Sequence, residues 1–129
     1  MRLALLTLAL PLLLVGPSQA QDAEAGATVF KKCMACHAVG ENARARVGPP
    51  LNGVVGHAAG AVAGFKYSEA LLGAGITWDE AALSSFLKAP KAFIPGTKMT
   101  FVGLKTDEEI ADVIAYLKTF DAEGKAVAP

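Results

Sequence analysis

Cysteine is scarce in this chain: Cys33 and Cys36 are the only two in 129 residues. A disulfide between residues three apart would close a very small loop and stabilise little. Charge of one sign is missing as well. Twelve Lys and Arg balance twelve Asp and Glu, which argues against a nucleic-acid partner. Histidine occurs only as His37 and His57, so a zinc site lacks a further Cys or a closer His. Strand-like alternation, internal repeats and low-complexity tracts are absent apart from a loose tail after Asp121. No apolar run reaches the about 20 residues of a spanning helix. The longest, Leu3 to Val15, is interrupted by Thr7 and Pro11.

That run follows a positive start, Met1-Arg2, and ends at Gly16-Pro17. Ser18-Gln19-Ala20 then offers the small residues that a signal peptidase requires. Residues 1–20 are therefore expected to be a cleaved secretory signal peptide, with a retained membrane anchor as the weaker alternative. Residues 21–129 form one small domain and carry a net charge of −1, with 11 basic and 12 acidic residues.

Cys33-Met34-Ala35-Cys36-His37 is the stretch around which the rest is organised. Two cysteines three apart with a histidine directly after the second form the attachment signature of a c-type haem. Each thiol adds across one porphyrin vinyl group, the spacing suits a helical turn, and His37 becomes the proximal axial ligand. A thioredoxin-like dithiol would use the same cysteines, but in a βαβ setting that is missing here.

The remainder reads as helices separated by long loops. A helix starts at Asp22, with Asp22 and Glu24 early and Lys31 and Lys32 late. Gly26 and Phe30 share one of its faces, which implies close approach of another helix. From Ala38 to about Lys66, six glycines with Pro49-Pro50 defeat both helix and strand. A loop this long is unusual in a compact domain, but a large flat ligand gives it something to pack against. A short helix runs from Ser68 to Leu72. Thr77-Trp78-Asp79-Glu80 reads as a capping box opening a helix to about Lys88, with Ala82, Leu83, Phe86 and Leu87 as its apolar face. One helical turn covers Pro90 to Phe93. Thr106-Asp107-Glu108-Glu109 is a second capping box. Its helix runs to about Phe120, with Ile110, Val113, Ile114 and Leu117 on the apolar face.

The sixth position on the iron decides the chemistry. Met99, Met34, His57 or nothing could fill it, and Met34 within the motif cannot reach the opposite face. Met99 lies in an irregular Pro- and Gly-containing stretch that can present a side chain inward. A thioether there stabilises ferrous iron and raises the potential relative to bis-histidine ligation. Its plain alternative is a flexible core filler. An open sixth site would instead suit a haem enzyme or gas sensor.

Several motifs together resemble class I cytochrome c of the mitochondrial type, in its bacterial periplasmic form. They are Cys33-Met34-Ala35-Cys36-His37, Gly48-Pro49, Gly64-Phe65-Lys66-Tyr67, Gly75-Ile76-Thr77-Trp78, Ile94-Pro95-Gly96-Thr97-Lys98-Met99-Thr100-Phe101 and Tyr116-Leu117, in family order. The resemblance implies an all-α, haem-wrapped fold whose N- and C-terminal helices cross, with Gly26 and Phe30 near Val113 and Tyr116. It implies one covalent haem c on Cys33 and Cys36, with His37 and Met99 as the iron ligands. It also places the Pro49 carbonyl on the His37 imidazole and Tyr67 and Trp78 at the haem propionates. His57, Leu71 and Phe86 replace arginine, asparagine and tyrosine found in many relatives.

The function so implied is a soluble periplasmic one-electron carrier, monomeric and not an enzyme. Its partners would be membrane redox complexes: a quinol–cytochrome c oxidoreductase, a terminal oxidase or a reaction centre. Lys31, Lys32, Lys88, Lys91 and Lys98 would form a basic rim at the haem edge, opposite acids on the last helix.

Overall fold

The computed structural model describes residues 21–128; the expected signal peptide, residues 1–20, lies outside the described residues. Among the described residues five helices occur in order: α1 (Ala23–Phe30), α2 (Glu69–Ala74), α3 (Glu80–Lys88), α4 (Pro90–Phe93) and α5 (Asp107–Leu117). Among the described residues the only β pairings are two isolated bridges, Ala58 with Thr77 and Phe120 with Ala126.

α1 begins where its cap dictates. The Asp22 carboxylate accepts from the amides of Glu24 (2.9 Å) and Ala25 (3.1 Å), two donors the helix cannot satisfy itself. The helix stops at Phe30, so Lys31 and Lys32 lie in the turns that follow and not in its last turn.

α1 packs on α5 through Gly26. A Cβ there would run into the Asp112 carbonyl and stand 2.8 Å from the Tyr116 Cβ, so only glycine allows this approach. The rings of Phe30 and Tyr116 meet at 5.4 Å beside it. The Asp22 amide also donates to the buried Asp112 carboxylate at 2.9 Å. The crossing of first and last helices is thus observed where the sequence places it.

The cap of α3 differs from the expected one. Asp79, not Thr77, is the N-cap, accepting from the Ala82 amide at 2.7 Å. Thr77 pairs instead with Ala58, because the segment before α3 is held extended by Trp78 N–H to His57 O at 2.8 Å and Gly56 N–H to Trp78 O at 2.7 Å. Thr106 does cap α5, accepting from the Glu109 amide at 3.1 Å. α2, capped by Ser68, runs through Gly73 to Ala74, beyond the expected Leu72. α5 ends at Leu117, since Phe120 turns away to bridge with Ala126.

The apolar faces read from the sequence are the ones buried: Leu83, Phe86 and Leu87 on α3, and Ile110, Val113, Ile114 and Leu117 on α5. Each such side chain removed from water contributes about 1.5–3 kcal/mol. α3 and α5 run antiparallel, tied at one end by Lys88 to Asp107 (3.2 Å) and at the other by Lys118 to Glu80 (3.3 Å). No helix among the described residues is long and apolar enough to cross a membrane.

Candidate haem-attachment site

After α1 the chain coils through the motif as a helical turn. The Cys36 amide donates to the Cys33 carbonyl at 3.1 Å, and the His37 amide to the same oxygen at 2.9 Å. Both thiols are free and half-buried. Burial pushes the Cys33 thiol up, against the pull of the Lys32 charge, with Cys36 adding a smaller upward push. A redox dithiol works as a depressed-pKa thiolate, and Cys33 is displaced the other way.

His37 is oriented by the loop that follows. Its Nδ1–H donates to the Pro49 carbonyl at 2.7 Å. A carbonyl only accepts, so the proton sits on Nδ1 and leaves the Nε2 lone pair free for a metal. Burial lowers the imidazole pKa, opposed by the Pro49 bond, and so favours the neutral form a ligand needs. Gly48 completes the seat: an added Cβ would stand 2.7 Å from Nδ1 and 2.9 Å from Nε2 of the ring.

The loop is stapled back onto the motif. Gly48 N–H donates to Cys36 O at 2.9 Å and Leu51 N–H to Ala38 O at 3.0 Å. Asn52 exchanges two bonds with Gly40, accepting at 2.9 Å and donating at 2.8 Å. Arg46 reaches from its Nη1 to the Met34 carbonyl at 3.1 Å. Sequence reasoning did not single out Asn52 or Arg46. An asparagine set in a Gly/Pro loop is the available signal, since its amide can replace missing backbone partners.

The other expected residues are placed as follows. Met99 is half-buried and, like Cys33, packs against the apolar core; its amide bonds Thr97 Oγ1 at 3.3 Å. The Tyr67 hydroxyl accepts from the Val62 amide at 3.0 Å, and its ring meets Phe65 edge-on at 4.9 Å. Trp78 is buried with its ring 4.9 Å from Phe86. His57 is exposed and Leu71 half-buried.

These residues suit a c-type haem. Two unpaired thiols sit beside an imidazole fixed in the ligand tautomer. Leu51, Val54, Ile76, Met99 and Phe101 are half-buried and, like Cys33, pack against the apolar core, side chains of the kind a broad apolar macrocycle needs.

The rim of lysines is not the clean charge separation expected. Lys32 pairs with Glu109 at 2.5 Å and Lys88 with Asp107 at 3.2 Å, so two of the five face acids of α5 directly. The Lys32 hydrogen bond, helped by the Thr106 and Lys105 amides, holds the Glu109 carboxyl below its usual range. Lys31, Lys91 and Lys98 form no ion pair with a described residue, and neither do Arg44 and Arg46.

Comparison with known proteins identifies the family. The family model described as Cytochrome c matches residues 23–121. Cytochrome c2 of Blastochloris viridis is 48% identical over 110 residues, covering 85% of this chain and 87% of that protein. Cytochrome c2 of Rhodoplanes tepidamans is 53% identical over 105 residues, 81% of this chain and 98% of that one. Among solved structures, cytochrome cH from Methylobacterium extorquens superposes with a TM-score of 0.72 at 46% identity, covering 76% of this chain and 98% of its own. With the motif, the imidazole seat and the crossing helices in place, this chain belongs to the cytochrome c family, whose members are haem c electron carriers and not enzymes.

Proposed function

We propose that the protein is a soluble periplasmic one-electron carrier with His37 and Met99 as the two axial ligands of its haem. Cys33 and Cys36 would hold the group through thioether bonds, which gives it no route to dissociate. Bound there, haem c supplies a single iron that gains and loses one electron. His37 presents Nε2 because Pro49 occupies the other ring nitrogen, and the hydrogen bond at 2.7 Å is the observation that carries the reading. Met99 offers a neutral sulfur from a loop fixed by Pro95 and Gly96. His37 and Met99 would together hold the iron with the chain's own side chains and so keep substrates from the metal. Tyr67 and Trp78 would face the propionates.

Residues 1–20 would export the chain and be removed after Ala20. The partners would be membrane redox complexes that receive the haem edge on an acidic face. Lys31, Lys91 and Lys98 provide the positive charge there that is not matched by a neighbouring carboxylate, with Lys32 and Lys88 partly neutralised by α5.

The test is the absorption spectrum of the oxidised protein, in which sulfur ligation gives a far-red band. That band should be present, and Met99→Ala should abolish it and let carbon monoxide bind the ferrous form. A protein that binds carbon monoxide at low concentration without mutation would have an open site, and the carrier reading with Met99 as ligand would be wrong.

A further inference from the structure

The tail after Asp121, expected from the sequence to be loose, is folded back on itself. Phe120 bridges with Ala126, and Val127 N–H donates to Thr119 O at 2.8 Å. Asp121 closes the turn. Its amide donates to Lys125 O at 3.0 Å, and its carboxylate accepts from the amides of Glu123 (3.0 Å) and Lys125 (2.8 Å). The root of this fold-back is tied to α5, where the ring of Phe120 meets Tyr116 edge-on at 5.2 Å.

The tip rests on the loop that orients His37. Gly124 is buried, although its neighbours Glu123 and Lys125 are exposed. Its φ of +80° suits glycine, and an added Cβ would run into the Gly40 carbonyl and stand 2.6 Å from Asn52 Nδ2. Ala122 lies against the next residue of the loop, since a Cβ on Gly53 would stand 2.9 Å from its N and Cα. Gly40 and Asn52 are the pair whose two hydrogen bonds close the loop. Within the span they close lie Gly48 and Pro49, which seat the His37 ring. A glycine-rich loop loses more conformational freedom on ordering than other sequence does, so those two side-chain bonds are a thin restraint. A buried backbone pressed on the same pair adds what they lack.

We infer that residues 118–127 act as a clasp on the His37 seat: Asp121 shapes the fold-back, and Gly124, packed on the Gly40–Asn52 pair, keeps the Pro49 carbonyl on His37 Nδ1. This rests on the reading of His37 as the proximal ligand. Neither Asp121 nor Gly124 touches the imidazole, so both are positioning residues. Their effect reaches it through the loop.

Hydrogen exchange in the ferrous holoprotein, followed by NMR, tests this at three protons. They are the amides of Gly48 and Leu51, which donate to Cys36 O and Ala38 O, and the Nδ1 proton of His37. Asp121→Ala unmakes the turn without adding bulk, and a chain ended at Asp121 lacks the tip altogether. In both, exchange at the three protons should quicken by about tenfold, because local opening follows the contacts that close a region. Ile110→Val weakens the core of α5 without touching the tail, and should leave the three rates within about twofold of the original. Unchanged rates at Gly48 and Leu51 in both tail variants would overturn the clasp. Equal quickening in Ile110→Val would overturn it too, since the loop would then open only with the whole molecule. Faster amides with an unchanged Nδ1 proton would overturn the positioning of His37. If the His37 ring of the unmutated protein lacks the large haem-induced shifts of an iron ligand, the ligand reading fails instead. The clasp is then decided by the Gly48 and Leu51 amides.

Discussion

Replacing Gly26 by alanine sets two effects of opposite sign against each other. Within a helix, alanine is favoured over glycine by about 1 kcal/mol, so on α1 alone the change stabilises. At this position the new methyl group would meet the carbonyl carbon and oxygen of Asp112 and the Tyr116 Cβ at 2.8 Å. The obstacle is backbone of α5, which has no rotamer to change, so the helices must move apart. Overpacking of this kind costs about 1–3 kcal/mol. Separation also loosens the Phe30–Tyr116 contact and the Asp22–Asp112 hydrogen bond, the latter worth about 1 kcal/mol. With the upper part of that range applying to a backbone obstacle, the net is a destabilisation of about 2–3 kcal/mol. For a domain of this size each kcal/mol lowers Tm by about 4–8 °C. Thermal unfolding of the holoprotein followed by far-UV circular dichroism should therefore show a fall of about 8–24 °C. Thr28→Ala, on the exposed face of the same helix, should change stability by less than about 0.5 kcal/mol. A Gly26→Ala protein as stable as the original would mean that helix propensity outweighs the contact, and the account of α1 on α5 would fail.

Asn52→Ala removes both hydrogen bonds to Gly40 and should cost about 1–3 kcal/mol in guanidinium unfolding; a change below about 0.5 kcal/mol would show that the loop is held by something else. Glu109→Gln should destabilise the protein at neutral pH. The Glu109 pKa is depressed in the folded state, so its contribution is present above the unfolded glutamate pKa and is lost as pH falls through the folded value. The gap between the two proteins should accordingly close on acidification, as read from urea midpoints across that window. The same substitution frees Lys32 at the rim, so electron transfer to an acidic partner should quicken at low salt. Lys31→Glu, Lys91→Glu and Lys98→Glu should slow it more than Lys88→Glu, and the differences should vanish toward 1 M salt, where the Debye length is about 3 Å. Equal slowing at all four positions would mean the partner senses only net charge.

What the sequence discloses depends on the distance over which a contact is made. The motif turn, the Thr106 cap and the apolar faces of α3 and α5 are local patterns, and each is found in the fold, whereas Asp22, read as the first residue of the helix, is its N-cap. The α3 cap falls two residues beyond the position its local pattern predicts, because the competing partner of Thr77, Ala58, lies 19 positions upstream. Pairings such as Lys32 with Glu109, 77 residues apart, are set by how α1 and α5 cross and leave no trace in either segment. That is why the five lysines read as a uniform set in the sequence, while two of them, Lys32 and Lys88, are paired with acids of α5 in the molecule. Pro49 and Gly48 were visible only through family likeness; physically, their role depends on a loop conformation that no periodicity encodes.

The Asp22–Asp112 bond joins residues 90 positions apart, and this has a consequence in time. A chain emerges from the ribosome amino end first, so α1 appears at the outset and its partner almost last. Until α5 arrives, Gly26 and Phe30 have nothing to pack on, and an isolated helix as short as α1 is marginal in water. Cys33, Cys36 and His37 therefore spend most of the chain's emergence on an open, pliable strand. Those thiols would be reachable throughout that interval, before burial raises the barrier to reaching them, and closure of the last helix over the first would come at its end.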